Sequence, residues 1–205
     1  MILIADLEYF APSIFYFQLS NSTHCIFDVY EPYQKMTFRN RCTLSGPNGL
    51  IHLSIPLVGG RGQRTIIREV KILTSENWQA RHWKTITSVF NKSPWFEHYR
   101  DDLEKLYNRP FRFLVDWNLA CFTWMADKMS INTPYSLSEK RVDSSSFDEA
   151  EKAKDWRNRL RPSTIGEMET PIKRYPQVFE DRNGFVPNLS ILDYLFCAGN
   201  RLNKN

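Results

Sequence analysis

Residues 1–28, MILIADLEYFAPSIFYFQLSNSTHCIFD, contain the pattern that decides the fold. A short apolar run at residues 1–5 leads into a predicted helix at 13–19 and then into a second β-type run at 24–28. This order is typical of a βαβ unit, in which the strands are parallel and the crossover is right-handed. The sequence therefore predicts an α/β fold, with α+β as the alternative, in which a mixed sheet carries a cluster of helices.

Polar side chains follow both predicted strands of this unit. Glu8 and Tyr9 come after the first strand, and Asp28 ends the second. Parallel strands bring their carboxyl ends to one edge of the sheet, where open α/β sheets bind their ligands. We therefore expect Glu8, Tyr9 and Asp28, together with Lys35, to reach one ligand.

The stretch FDVYEPYQKMTFRNR, residues 27–41, combines more polar chemistry than any other part of the chain. Pro32 excludes a helix here. The candidate ligand-binding residues of this stretch are Tyr30, Tyr33, Lys35, Asn40 and Arg41. A structural alternative stays open, in which Asp28 forms an ion pair with Arg39 or Arg41 that holds the loop.

Further short segments are predicted to extend the β region. Residues 42–44 and 50–55 flank Gly-Pro-Asn-Gly, and Asn-Gly is a strong hairpin signal. Residues 65–73 are predicted to close this region, and a short strand is predicted at 135–137. The glycine-rich loop at 58–64 matches neither a P-loop nor a dinucleotide fingerprint. Its amides and arginines suit a phosphate or sulfate, and a merely mobile loop is the alternative.

Three helices with apolar stripes are predicted next. Ser75 is expected to cap the first and Ser93 the second, and the third spans about residues 111–129. His82 lies on the apolar face of the first helix, so it is either a hydrogen-bonded core residue or a catalytic base. The third helix is mostly apolar and should be central, where a buried Asp116 would need a partner or belong to the site.

The segment of residues 139–176 is charged, serine-rich and poor in apolar anchors. We predict that it is a mobile insertion or connector within a single domain of residues 1–205. Within it, a loop is predicted at 142–148 and a helix at 149–160. A last helix is predicted at 190–196.

Composition and motifs exclude several classes of function. The 27 Lys and Arg against 23 Asp and Glu give a net charge of +4, far from the clustered basic surface of a nucleic-acid-binding protein. The four cysteines form no CxxC pair and there is no HExxH motif, so no metal site is predicted. No apolar run approaches the ~20 residues of a membrane span. We expect a cytoplasmic protein without a signal peptide, and the sequence indicates neither a cofactor nor an oligomeric state.

Five segments carry a resemblance to a known family. In chain order they are DLEYFAPSIFYFQL, FDVYEPYQKMTFRNR, IHLSIPLV, WQARHWKTITSVFNKSPWF and YPQVFEDRNGFVPNLSILDYLFCAG. Together they resemble the WbqC-like family of bacterial proteins over nearly the whole chain, and the last is similar to the form in Bacteroidetes-type members. Leu7 and Glu8 stand where the family pattern has Gln-Pro. The family is named for a protein encoded among O-antigen polysaccharide genes, which implies a role in making or decorating a surface sugar.

Two hypotheses of different classes follow. In the first, the protein is a transferase of surface-polysaccharide biosynthesis or sugar modification. Asp28 or His82 would take a proton from a sugar amine or hydroxyl, while Lys35 and Arg41 would hold an anionic donor. In the second, it is a non-catalytic ligand-binding or scaffold protein of a polysaccharide assembly. The expected partner is an anionic small molecule or an activated sugar, and no nucleic acid is expected.

Overall fold

A computed structural model describes residues 1–60, 62–147 and 153–202. In chain order, the strands and helices are β1 (Ile2–Ala5), α1 (Ser13–Ser20), β2 (His24–Phe27), β3 (Arg41–Gly46), β4 (Gly49–Ser54), α2 (Trp78–Phe90), α3 (Phe96–Tyr107), α4 (Leu114–Lys128), β5 (Tyr135–Leu137), β6 (Lys154–Asp155), α5 (Glu180–Asn183) and α6 (Ile191–Ala198). Single 3₁₀ turns lie at Ile67–Glu69, Ser144–Ser146 and Ile165–Glu167.

Four strands form one parallel sheet in the order β5-β2-β1-β6. β1 pairs with β2 from Ile2 opposite His24 to Ala5 opposite Phe27, and α1 connects the two strands. The predicted βαβ unit and the α/β class are therefore confirmed. Because all four strands run the same way, their carboxyl ends meet at one side of the sheet, which we call the carboxyl edge.

β3 and β4 form a separate antiparallel hairpin closed by Pro47 and Asn48. Gly49 follows with a φ of +108°, a conformation that L side chains rarely adopt. The Asn-Gly signal thus located the hairpin correctly. Residues 65–73 instead form a 3₁₀ turn and isolated bridges to Pro32, Leu57 and Phe113, so they join neither sheet.

α2 and α3 both begin later than the sequence predicted. Asn77 precedes α2 and Trp95 precedes α3, and neither side chain caps its helix. Ser75 is exposed ahead of α2, whereas Ser93 Oγ donates to the Phe90 carbonyl at 2.7 Å. Ser93 therefore closes the end of α2 instead of capping α3, since a serine hydroxyl can bond backwards along the chain.

α4 is central, as its apolar composition predicted. Trp117, Cys121 and Met125 on this helix are fully buried. Two polar residues of its N-terminal half differ in exposure, because Asn118 is buried while Asp116 is exposed. Asp116 therefore does not clamp one helix to another, and its carboxylate faces outward.

Aromatic side chains fill the space between the parallel sheet and the helices. The ring of Phe122 in α4 lies 4.8 Å from that of Phe27 in β2 and 6.3 Å from that of Tyr16 in α1. This packing holds α1 and α4 against the sheet, so the first turn of α4 lies beside the ends of β2 and β5. In the ranges that the structure describes, no helix is both long and apolar enough to cross a membrane.

The charged segment adds a strand to the sheet. Residues 154–155 form β6, which pairs with β1 in parallel. The helix predicted at 149–160 is therefore wrong for its described part, and residues 149–152 lie outside the described residues. This stretch has few apolar residues at helical spacing, so a helix here would have no apolar face to pack against the core. Its charged side chains bind the carboxyl edge instead.

The predicted loop at 142–148 contains one 3₁₀ turn, and residue 148 lies outside the described residues. The mobility of residues 139–176 stays a prediction. The last predicted helix is present as α6, where the Ser190 side chain accepts a hydrogen bond from the first turn. Gly199 ends this helix with a φ of +88°.

Candidate functional site

The carboxyl edge gathers six charged side chains that are largely withdrawn from water, which we call the edge ion network. They follow β1 and β2 in sequence or return to them after β6. The network consists of Asp6, Glu8, Asp28, Glu31, Arg39 and Arg157. Charged groups buried in this way must be paired or must lose their charge.

Arg39 pairs with Asp6 at the end of β1. Its Nη2 donates to Asp6 Oδ1 at 2.6 Å and to Asn158 Oδ1 at 3.1 Å. The backbone N–H of Asn158 donates to Asp6 Oδ2 at 2.7 Å. Burial raises the pKa of Asp6, against the opposing effect of Arg39. Residue 158 is thus tied to the end of the first strand.

Asp28, at the end of β2, has both carboxylate oxygens occupied. Its Oδ1 accepts from the Tyr30 N–H at 3.0 Å and from Ser138 Oγ at 3.3 Å. Its Oδ2 accepts from the Val142 N–H at 3.0 Å and from Arg157 Nη1 at 2.7 Å. The side chain of Asp28 is fully buried. These contacts favour a structural role for Asp28 over that of a base facing a substrate.

Arg157 is the hub of this part of the network. Beyond Asp28, it donates from Nη2 to Asp155 at 2.6 Å and from Nη1 to Glu31 at 3.4 Å. Asp155 most strongly, and then Asp28, raise the pKa of Arg157, while burial opposes the shift. The structural alternative proposed a partner for Asp28 among the arginines of residues 39–41. The partner is instead Arg157, 129 positions further along the chain.

Glu8 differs from its neighbours in the network. Its Oε2 is buried, and it meets no hydrogen-bond partner within the described part of the chain. Burial raises the pKa of Glu8 well above its ordinary value, and the nearby Asp6 raises it further while Arg39 opposes the shift. This environment favours the protonated, neutral form of Glu8.

His82 lies in the core with two tyrosines. Its Nδ1 is 3.0 Å from the Tyr9 hydroxyl, which is 2.5 Å from the Tyr107 hydroxyl. Burial lowers the pKa of His82 to about 4, although a hydrogen bond with the Ser54 backbone opposes the shift. His82 is therefore neutral at physiological pH. This enclosure favours the core-residue interpretation over the catalytic one.

Three open cavities lie side by side around the start of α4. The first, the loop cavity, encloses about 450 Å³ and is lined by Val58, Gly59, Gln63, Thr65, Glu69, Lys71 and Phe113. The second, the edge cavity, encloses about 570 Å³ and is lined by Val29, Arg68, Glu69, Phe113, Val115, Asp116, Leu137, Ser138 and Glu139. The third, the helix trough, also encloses about 570 Å³ and is lined by Asp102, Lys105, Leu106, Arg109, Phe111, Asp116, Leu119, Ala120, Thr123 and Trp124.

The edge cavity lies where β2 and β5 end, and it combines apolar and polar groups. Its carboxylates belong to Glu69, Asp116 and Glu139, and its guanidinium belongs to Arg68. Arg68 Nη1 donates to the Tyr30 hydroxyl at 2.7 Å, and its guanidinium lies 5.5 Å from the centre of that ring. Three carboxylates against one cation favour a neutral or cationic ligand in this cavity over the anionic partner that the sequence analysis expected.

A sequence model of the WbqC-like protein family matches residues 8–163 of the 205 in this chain. The chain belongs to the WbqC-like protein family. No curated protein and no solved structure matches it.

The match to the WbqC-like family covers every residue that lines the three cavities. It also covers the edge ion network except for Asp6. The ending at residues 175–199, which carried the resemblance to Bacteroidetes-type members, lies beyond the matched range, and that resemblance stays a prediction.

In this WbqC-like protein, most of the predicted ligand-binding side chains have structural contacts. The Tyr33 hydroxyl donates to Asn40 Oδ1 at 3.0 Å, and Asn40 Nδ2 donates to the Ile55 carbonyl at 3.0 Å. Lys35 is exposed, and Arg41 begins β3. None of these side chains lines one of the three cavities. Tyr30 comes nearest, because it supports Arg68.

The side chains that were expected to reach one ligand at the carboxyl edge lie apart in the structure. Glu8 and Asp28 belong to the edge ion network, as their positions after β1 and β2 indicated. Tyr9 follows the same strand as Glu8 but turns into the core, where it contacts His82. Lys35 lies apart from both groups, on the surface. The catalytic and ligand-binding roles of these residues stay predictions.

Several cavity residues were missed, although some had a signal in the sequence. Ser138 and Glu139 directly follow the predicted strand at 135–137, so the rule applied to β1 and β2 also points to them. Arg68 and Glu69 lie in residues 65–73, which were predicted only to close the β region, so their place beside the edge cavity was not expected. Arg157 of the edge ion network was also missed, because it lies in a stretch whose many charges resembled a solvated surface.

Proposed function

We propose that this protein is a transferase that acts on a sugar of a bacterial surface polysaccharide. The observation that carries the proposal is the wall shared by two open cavities. The edge cavity and the loop cavity meet at Glu69 and Phe113, so two substrates can bind side by side with a carboxylate between them. Adjacent sites for donor and acceptor are what group transfer requires.

The edge cavity suits the acceptor sugar. Its volume of about 570 Å³ lies within the usual range of small-molecule sites. Val29, Leu137 and the ring of Phe113 offer apolar surface to the C–H face of a sugar ring. The hydroxyl of Ser138 and the carboxylate of Glu139 offer hydrogen bonds to its hydroxyl or amine groups.

The loop cavity suits an activated donor that carries a phosphate. Among the described residues, its lining has one cation, Lys71, and one carboxylate, Glu69, and Lys71 offers its positive charge to the phosphate. The loop is held in place by Gln63, whose Nε2 donates to the carbonyls of Val58 and Gly60 at 3.0 Å each. We therefore propose Lys71 for donor binding, in place of the role that the sequence suggested for Lys35 and Arg41.

Glu69 is the proposed base, because it faces both cavities. It accepts the proton of the acceptor hydroxyl or amine while that oxygen or nitrogen forms a bond to the transferred group. The bond between the transferred group and the donor's leaving group breaks at the same time, and the leaving group keeps the electron pair. A positioned carboxylate in this role contributes roughly 10²–10⁴-fold to the rate.

A second candidate function is non-catalytic sugar binding. It is favoured by the enclosure of Asp28 and His82, the two side chains that the sequence suggested as catalytic. In that case the edge cavity holds a sugar and no group is transferred.

The test combines binding with product formation. Saturation-transfer NMR measures sugar binding, and mass spectrometry detects products from a panel of nucleotide sugars and coenzyme A esters. We expect Glu69→Gln to lower product formation by roughly 10²-fold or more. Glu167→Gln, another exposed glutamate that lines none of the three cavities, is the matched control and should keep full activity. Sugar binding without product from any donor would favour the second candidate, and no sugar binding at all would overturn both.

A further inference from the structure

The helix trough has no role in the transfer proposed above. It lies along the outward face of α4, where Asp116, Ala120 and Thr123 recur at helical spacing. α3 supplies the opposite wall through Leu106 and the charged rim through Lys105. The trough is as large as the edge cavity, at about 570 Å³.

The trough lies next to the edge cavity. Asp116 lines both of them, so a chain of sugars that passes Asp116 can occupy the two cavities together. From Phe113 in the edge cavity to Trp124 at the far end of the trough, the helix rises by roughly 17 Å. This distance exceeds the length of one sugar ring.

The trough has aromatic rings and planar polar groups, which together suit sugar rings. Phe111 and Trp124 line it, and Trp124 is fixed by edge-to-face contacts with Phe10 at 6.2 Å and Tyr99 at 6.5 Å. Flat rings pack against the C–H faces of sugars. The guanidinium of Arg109 lies 5.4 Å from the ring centre of Phe111 and presents a planar set of donors for hydroxyl groups.

A protein partner fits the trough less well than a glycan. Protein interfaces depend on large exposed apolar or aromatic anchors. In the described part of the chain, the strongly exposed large hydrophobic side chains are Met1, Met36, Leu50, Val58, Trp95 and Tyr135, and none of these lines the trough.

We infer that the acceptor is an oligosaccharide, with its reacting sugar in the edge cavity and the following sugars along the helix trough. This inference rests on the proposed function, since it extends the acceptor site of the same transferase. It predicts that affinity rises with chain length and that the trough supplies the increase.

The experiment measures binding by isothermal titration calorimetry for series of one to four sugars. Four series are used: glucose, galactose, glucosamine and N-acetylglucosamine oligomers. We expect the trisaccharide of at least one series to bind about tenfold more tightly than its monosaccharide, which corresponds to about 1.4 kcal/mol. Ala120→Trp fills the trough and should reduce the trisaccharide to the affinity of the monosaccharide. Ala80→Trp, on the exposed surface of α2, is the matched control and should keep the increase.

A second pair of variants tests the trough without adding bulk. Arg109 and Arg112 both lie 5.4 Å from the centre of a phenylalanine ring, and of the two Arg109 lines the trough. Arg109→Ala should reduce the length-dependent increase about threefold or more, and Arg112→Ala should leave it unchanged. Equal affinity at all lengths, or an increase that survives both Ala120→Trp and Arg109→Ala, overturns the inference while the proposed function stands. No binding at any length overturns the proposed function itself.

Discussion

Asp28 and Val29 are neighbours in sequence, yet they lie in different environments. The carboxylate of Asp28 is sealed in the edge ion network, while the side chain of Val29 lines the open edge cavity. Ser138 joins the two environments, because it lines the cavity and its Oγ donates to Asp28. The same edge of the sheet therefore has a closed, charge-paired part and an open part with carboxylates on its walls.

The difference shows that density of charge in a sequence does not by itself locate a ligand site. Residues 27–41 hold much of the charged and polar chemistry, and their side chains largely bind one another, the end of β1 or the segment after β6. The open carboxylates come from separate parts of the chain, at Glu69, Asp116 and Glu139. The paired charges hold the carboxyl edge together, and the open carboxylates beside them face the solvent.

The strongest test of the closed part is Arg157→Ala. This change leaves Asp28 buried without its cation, so we expect the free energy of unfolding to fall by about 3–5 kcal/mol. Urea denaturation followed by tryptophan fluorescence measures it. Arg159→Ala, an exposed arginine two positions away, should change stability by less than about 0.5 kcal/mol. A loss below about 1 kcal/mol for Arg157→Ala would show that the network does not hold the edge.

The pH dependence of stability tests the closed core around His82. The pKa of His82 is about 4 in the folded protein against 6.5 ordinarily, so between these values the unfolded state binds more protons. The contribution of His82 to the free energy of unfolding therefore decreases by roughly 3 kcal/mol as the pH falls from 6.5 to 4.

His82→Asn isolates this contribution. Burial raises the pKa of Asp193 to about 6, so the contribution of Asp193 to stability increases as the pH falls over the same range. This contribution is the same in the parent and in His82→Asn. We expect the difference in unfolding free energy between the parent and His82→Asn to shrink as the pH falls from 6.5 to 4. A constant difference across this range would mean that His82 is not held neutral.

A smaller effect is expected for Glu8→Gln. Burial raises the pKa of Glu8, so its contribution to stability is fully present below the ordinary value of 4.5 and is lost as the pH rises above it. Replacing Glu8 by a neutral side chain of the same shape removes that loss. We expect Glu8→Gln to be more stable than the parent at pH 7 and equally stable at pH 4. Equilibrium unfolding at both pH values measures the gain, and an equal effect at both would contradict a protonated Glu8.

The smallest effect on stability is expected in the open part. Asp116 is exposed on α4, so Asp116→Asn should change the free energy of unfolding by less than about 0.5 kcal/mol. If the edge cavity binds the acceptor, the same variant should weaken sugar binding in saturation-transfer NMR. Asp127→Asn, another exposed aspartate of α4, serves as the control. A large loss of stability in Asp116→Asn would contradict the distinction between the closed and the open part of the carboxyl edge.

The parts of the fold that local patterns specify were predictable. The βαβ unit, the Asn-Gly hairpin and α6 each follow from periodicity or from a turn residue within a short window. The short β6 was not predictable, because two charged residues form a strand only through their pairing with β1. The same holds for the ion pair of Asp28 and Arg157, since nothing local links residues so far apart in sequence.

The position of β6 also sets the order of events during synthesis. β1 and β2 leave the ribosome early, but the counter-ion of Asp28 arrives 129 residues later. At 5–20 residues per second, that interval is roughly 6–26 s. Throughout this time the nascent sheet has an unpaired outer strand and an unneutralised carboxylate at its edge. The N-terminal unit therefore completes the charge pairing at its edge only after residue 157 has been synthesised.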